Sequence, residues 1–450
     1  MTTAIQTGGV PPAQQNLHAG LFAAFGVPNF SRFVIGQGVS LIGTWTETVA
    51  QALLVLQLTN SAIAVGFATA ARYLPVLLLT PYAGLIVDRR NKRKILLVTA
   101  MCLASLSAIL GVLVLTHTVA YWSIILVALG FGVMSALDNP ARQAFVPEMV
   151  GRPLIRNAVT LNTTVVNVGR AIGPVTAAIL IGTLGIGWCF IVNAASFIAV
   201  IVALATMNVP ALHPVGSVGR AKGQLRSGFR YAVRIPEIIA PVAMMALIGT
   251  FTYEFEVSLP LFAHVTLSGT PATYSWLLGA FGAGSVIGGL YCVWRPQVGL
   301  RRLVGAAIVY AVAMTATAFA PNVAVAVLLL VVVGMGSIAF ITIGNSTIQL
   351  AAKPEYRGRV TALWSTAFLG STPIGASIIG YVDSISPRLA LGVGAAACVV
   401  AAFVGWHFVR RQRRETATGV WPTQAGGPSR RRTSGTRAAR TGRPAGSTAG

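Results

Sequence analysis

From residue 31 to residue 409 the chain alternates long apolar runs with short polar breaks. Runs of about 20 residues match a hydrocarbon core of ~30 Å when they are helical. They are continuous, without the strict in–out alternation of barrel strands. Helices are then the remaining way to satisfy backbone groups in lipid. Twelve spans are expected, at 31–59, 61–87, 94–115, 120–146, 156–182, 186–207, 238–264, 271–294, 300–319, 322–350, 357–383 and 387–409. The pattern predicts an all-α membrane protein.

The odd connections are very short, such as TNS at 59–61 and APN at 320–322, and the even ones hold the charge. Connections two–three, four–five, six–seven, eight–nine and ten–eleven carry nineteen Lys and Arg, against Arg388 alone on the opposite side. The positive-inside rule puts both termini in the cytoplasm. The longest connection divides the chain, so the expected organisation is a tail (1–30), a six-span bundle (31–207), a linker (208–237), a second six-span bundle (238–409) and a basic tail (410–450). In the linker, LRSGFRYAVRIPEI interleaves Leu225, Phe229, Tyr231 and Val233 with Arg226, Arg230 and Arg234. Such a segment suits a short helix on an anionic inner leaflet. The Gly/Ser/Thr/Arg-rich tail is expected to be disordered.

The halves repeat each other. LIGTWTE at 41–47 returns as LIGTFTY at 247–253, an offset of 206 that also sets Asn139 over Asn345 and Gln143 over Gln349. With the offset drifting shorter, RNAVTLN (156–162) lies over RVTALWS (359–365) and Pro174 over Pro373. Two pseudo-symmetric six-helix bundles in the same orientation form the parallel repeat of one large transporter class, which binds substrate near the membrane midplane.

Composition narrows the function. The chain is 55% hydrophobic and only 10% charged, against about 25% charged in soluble domains. Of its net charge of +23, +9 comes from the tail, and most of the rest sits in short loops. A nucleic-acid partner is not expected; the basic loops and tail suit anionic lipids. Cys102, Cys189, Cys292 and Cys398 fall inside spans without CxxC spacing, so neither a disulfide nor a metal site is expected. Residues 1–28 contain no Lys or Arg, and no cleavable signal peptide is read there. There is no HExxH, GxSxG or GxxxxGK[ST], so no enzyme, ATP use or cofactor is expected.

GLIVDRRNKRK, Gly84 to Lys94, resembles the loop two–three signature of the major facilitator superfamily, with Asn91 where the family prefers Gly. Asn tolerates a left-handed turn, which is the conformation expected of Asn91. The second-half counterpart, GGLYCVWRPQVGLRR, lacks the Asp. GRAIGPVTAA in span five resembles the antiporter-associated Gly-Pro signature, at Gly169, Gly173 and Pro174, with Ala where paired Gly is expected. NPARQAFVPEMVGRPLIRNAVTLN and TYEFEVSLPLF are similar to the bacterial exporter branch that includes the enterobactin exporter and macrolide-efflux proteins. That branch's usual Arg in span four is absent from ILVALGFGVMSAL. A monomer in the bacterial inner membrane is expected. The resemblance implies proton-coupled efflux of a small, partly hydrophobic molecule (drug-, macrolide- or siderophore-like) by alternating access. An importer or uniporter on the same fold is the alternative, as is a non-transporting sensor or scaffold.

Ionisable groups at mid-bilayer cost several kcal/mol, which makes them functional candidates. Five qualify: Glu47, Arg72, Arg170, Glu254 and Glu256. On a continuous helix, residues 254 and 256 lie about 200° apart, so at most one faces a given cavity. Glu47 with Glu254 or Glu256 is expected to carry the exchanged proton, with Arg72 or Arg170 tuning its release. Fixed Glu–Arg pairs holding helices together are the other reading of the same residues. The family implies a cytoplasmic gate at Gly84, Asp88, Arg89, Lys92 and Arg93. There Asp88 would meet the start of span eleven, and Arg89 or Lys92 would bridge to Asp138; fixing the topology is the alternative role of these basic residues. The neutral polar residues Gln51, Gln57, Asn162, Asn167, Asn193, Asn345 and Gln349 are candidates for cavity lining or for hydrogen bonds between helices.

Overall fold

The structure is a computed structural model that describes residues 22–213, 224–295, 297–353 and 356–417, without the side chains at 81, 85, 88, 152, 156, 224–228, 293, 358, 369 and 412–417. Expectations for 1–21, 214–223 and 418–450, including tail disorder and the first part of the linker, lie outside the described residues, as does the Asp88 side chain. Among the described residues there is no strand, and twelve helical segments are long and apolar enough to cross a membrane. The described residues up to Val409 form one compact unit, and those from Arg410 are grouped apart from it.

The first half is α1 (Pro28–Thr59), α2 (Ala62–Arg89), α3 (Lys92–Leu115), α4 (Tyr121–Val150), α5 (Ile155–Thr183) and α6 (Gly187–Ala205). The polar breaks in the sequence are the helix caps. Asn60 turns the chain at φ 48° after α1, and the Ser61 hydroxyl then accepts the Ala64 N–H at the start of α2. Asn91 is likewise an N-cap: its side chain accepts the Lys94 N–H at 3.1 Å, with φ −67° and ψ 112°. This corrects the left-handed turn expected there. A capping side chain needs an extended backbone, and Asn supplies the cap where Gly cannot.

After the linker come α7 (Gln224–Val233), α8 (Pro236–Phe251), α9 (Phe255–Leu261), α10 (Pro271–Trp294), α11 (Leu300–Ala318), α12 (Val323–Ala351), α13 (Arg357–Leu369), α14 (Thr372–Ile385) and α15 (Pro387–Ala417). Spans seven and eleven are therefore broken rather than continuous. Span seven stops at Thr252–Glu254, resumes as α9 with Pro260 inside it, and ends in a π-helical turn at Phe262–Thr266. Span eleven breaks at Gly370–Ser371, just before Pro373. Proline removes a backbone donor and crowds the preceding turn, which accounts for the break before Pro373. Side chains at the first break reach backbone carbonyls of other spans and hold it open. Thr252 Oγ1 donates to Gly394 O at 2.9 Å, and the Tyr253 hydroxyl donates to Ser337 O at 3.0 Å.

Within the first half, α1 packs on α5 and α6, α3 on α4 and α6, and α2 on α4; in the second, α12 packs on α8, α10 and α11. Small residues let backbones touch. The Gly284 and Gly334 positions bring α10 and α12 together, with Gly284 against the Val331 carbonyl and Gly334 against the Phe281 carbonyl. The halves meet along α2–α14 and α5–α10, and α9 reaches α1 and α2. The linker helix α7 belongs to the second half by contact. Tyr231 stacks on Tyr356 at 4.0 Å, 10° from parallel, and its hydroxyl accepts the Lys353 N–H at 3.0 Å. Phe229 and Val233 stay exposed on α7.

Valine at Gly284 or Gly334 would press on the opposing backbone. Each substitution is expected to cost about 1–3 kcal/mol, the usual scale of overpacking. Gly182→Ala, at a site with nothing within 4 Å, should be neutral or stabilising by about 0.5–1 kcal/mol. Thermal melting of the purified protein in detergent separates the two outcomes.

Candidate functional site

The break in span seven sets two carboxylates at the level where the halves meet. Glu254 is the residue before α9, with φ −84° and ψ 40°, so the regular 100° step between residues 254 and 256 is lost. The acids turn to different helices. Glu254 is buried, its Oε1 lies beside Gly375 of α14, and that oxygen has no hydrogen-bond partner. Glu256 crosses to the other half, where the Tyr73 hydroxyl of α2 faces its Oε1 at 3.5 Å.

Two guanidiniums stand opposite. Arg72 on α2 lies over the Phe131 ring at 4.8 Å and donates to Gln51 Oε1 at 3.3 Å. Arg170 on α5 is held between Trp45 of α1 at 4.9 Å and Phe281 of α10 at 5.0 Å, with its Nε buried and unpartnered. One side chain thus bridges the halves through two ring faces, a contact worth about 2 kcal/mol or more when desolvated. The ion pairs found among the described residues are Lys92–Glu148 and Arg142–Asp138, so neither Arg72 nor Arg170 is locked to a carboxylate. Thr48, Gln51, Thr69, Arg72 and Glu256 line a cavity of about 10 Å³, room for about one water. No group of three or more His, Cys, Asp or Glu among the described residues could hold a metal ion.

Glu47 is not gathered into this site. It is fully buried inside the first half, where its Oε2 accepts from Ser107 Oγ of α3 at 2.6 Å and from Asn193 Nδ2 of α6 at 2.5 Å. Asn193 also donates to Ser107 at 3.0 Å, closing a three-helix polar cluster. The Gly-Pro signature serves the neighbouring contact. Gly169 packs on Leu41, Gly173 on Trp45, and Thr46 Oγ1 donates to the Gly173 carbonyl at 3.0 Å, with Pro174 buried beside it. These glycines let α5 approach α1 closely enough for Arg170 to reach the Trp45 ring.

The loop residues pair differently from expectation. Lys92 meets Glu148 at 2.8 Å, and Asp138 instead takes Arg142, one turn along α4, together with Thr99 Oγ1 at 2.9 Å. Ten residues of helix put Glu148 about 15 Å beyond Asp138, level with the start of α3. Arg93 donates to Leu204 O at 2.6 Å and Ala205 O at 3.0 Å, covering the last carbonyls of α6. Gly84 lies in the last turns of α2, and Arg89 at its end is exposed.

Sequence reasoning missed the aromatic partners Trp45, Phe131, Tyr73 and Phe281, because rings in apolar runs carry no separate signal. It also passed over Asp383, 1% exposed with neither carboxyl oxygen partnered. The lone acid inside IIGYVDSI was the available signal.

Twelve apolar spans around a broken, acid-bearing helix define a multi-pass membrane transporter of the major facilitator type. A bacterial homologue of the human lysosomal transporter Spinster shares the fold with a TM-score of 0.69 at 14% identity, covering 86% of this chain and 97% of that one. Residues 19–425 match the transmembrane secretion effector family, and the chain belongs to it. Multidrug efflux pump Tap of Mycolicibacterium fortuitum is 27% identical over 351 residues, 75% of this chain and 85% of that protein. Macrolide efflux protein A of Streptococcus pyogenes is 23% identical, over 76% and 85%. Staphyloferrin A transporter of Staphylococcus aureus is 30% identical over a shorter stretch, 36% and 42%.

The Glu47 cluster yields a double-mutant expectation. Asn193→Leu removes a donor from a buried carboxyl and should cost about 1–3 kcal/mol. Pairing it with Glu47→Leu replaces both partners by apolar groups and should recover part of that loss. Denaturation of the single and double variants measures the recovery.

Proposed function

We propose that this protein is a proton-coupled exporter of a small, partly hydrophobic molecule, working by alternating access in a bacterial cell membrane. The observation that carries the reading is the group of ionisable side chains Glu254, Glu256, Arg72 and Arg170 at the break in span seven, without ion pairs between the two halves. Charge so placed is costly in lipid and is kept where it acts. Glu256 is assigned the exchanged proton. When ionised it is drawn toward Arg72 and Arg170; when protonated it leaves them to the substrate or to water. Glu254, facing α14, is the second acid of the pair. Glu47, held by Ser107 and Asn193, is assigned a structural role inside the first half.

The basic loops put their end of the molecule in the cytoplasm. In that frame the outer part of span eleven, α14, packs along α2, while its inner part, α13, lies mainly against α7 and α8. Thr160, Thr163 and Thr164 of α5 and Ser365 and Thr366 of α13 are exposed on the inner halves of their spans. Exposed hydroxyls at membrane depth suit a water-filled vestibule open to the cytoplasm. Asp88 is assigned to the opposite state, where it would meet the N–H groups at the start of α13 and close that vestibule. Export, with a macrolide-, drug- or siderophore-like cargo, follows the relatives' names.

The test is uptake of a radiolabelled macrolide into inside-out proteoliposomes under an imposed pH gradient. Glu256→Gln should cut gradient-driven transport at least tenfold while leaving gradient-free exchange. Glu47→Gln should stay within about threefold of the unsubstituted protein once protein amounts are matched. Gradient-driven transport that survives Glu256→Gln intact would remove the assignment.

A further inference from the structure

Asp383 lies two residues from the outer end of α14, away from the charged group just described. With Ala376 and Gly380 it falls at positions i, i+4 and i+7, one face of the helix. That face is the seal between the halves. A side chain at Gly66 of α2 would meet Ala376 O at 2.5 Å and Gly380 Cα at 3.2 Å, and one at Gly380 would meet Ala62 O at 2.9 Å. Asp383 therefore sits one turn outward of the point where α14 touches the first turn of α2. It is 1% exposed, and neither carboxyl oxygen has a hydrogen-bond partner.

No charge faces it from the elements packed on α14, which are α2, α8 and α9. On α2 the first titratable residues are Arg72 and Tyr73, ten or more residues, about 15 Å, inward of Ala62; Tyr82, Asp88 and Arg89 lie farther still. Glu237 opens α8 at the opposite end of its span, and Glu254 and Glu256 stand at the break, with Glu254 beside Gly375, about 12 Å along α14 from Asp383. At the outer end, His264 is exposed, and Arg388 donates to Ala320 O at 3.5 Å. An ionised carboxylate with no donor and no counter-ion is prohibitively costly in such a place, so the closed seal requires the neutral acid.

We propose that Asp383 is a proton-binding site in the outer seal, loaded from the outer aqueous phase before α2 and α14 close. Parting of the two helices exposes the carboxyl to water, where it ionises; closure returns it to the seam only with a proton attached. Closure is thereby linked to proton activity on the outer side. The inference rests on the alternating-access reading, and it assigns a proton site separate from Glu256.

The experiment measures the α2–α14 separation by spin labels at the exposed positions Phe67→Cys of α2 and Ile385→Cys of α14, with the four native cysteines changed to alanine, in nanodiscs between pH 5 and pH 8. Glu254→Gln and Glu256→Gln are included so that the central acids do not titrate. Two distances are expected, their closed-to-open ratio rising with acid by up to tenfold per pH unit. Asp383→Asn should flatten that dependence to less than twofold. Asp383→Leu, an apolar group of similar size, should do the same and raise the melting temperature, which guards against misfolding as the cause. Two distances whose ratio ignores pH, or a pH dependence that survives both substitutions, would overturn the proposal and leave alternating access standing. A single distance at every pH would overturn both.

Discussion

Hydrocarbon cannot solvate a charge or a free backbone group, and this one constraint organises the whole molecule. It compels the helices, puts most of the cations in the loops at one end, and makes each remaining polar group within the spans a position that needs a reason. Glu47 has its reason in two donors from α3 and α6. Arg72 and Arg170 are held by ring faces in place of carboxylates. Such contacts stabilise a guanidinium while leaving its rim available. That difference separates the first-half cluster, which is closed on itself, from the group at the seam.

Span number and most span ends were legible because apolar runs and polar caps act over short distances. Asn60, Ser61 and Asn322 mark helix borders in the sequence as they do in the structure. The breaks in spans seven and eleven were not legible. Pro260 and Pro373 are visible in the chain, but what holds the first gap is Tyr253 reaching Ser337 and Thr252 reaching Gly394, contacts between residues 84 and 142 positions apart.

The candidate site divides in the same way. Rare charges in apolar runs drew attention to Glu47, Arg72, Arg170, Glu254 and Glu256 at once. Their grouping depended on side-chain direction. Residues 47 and 254 occupy nearly equivalent places in the two repeats, yet one points among α1, α3 and α6 and the other toward α14. The loop cations show a third case: charge counting assigned them a side, but which anion each meets depended on axial level along α4, where Glu148 and Asp138 are separated by nearly three turns.

The stacked tyrosines at the foot of the linker redraw the border between the two bundles. With Tyr231 lying flat on Tyr356 and tied to the Lys353 amide, α7 is upholstery of the second bundle and not slack rope between the two. If one bundle tilts against the other, α7 goes with whichever way α13 leans.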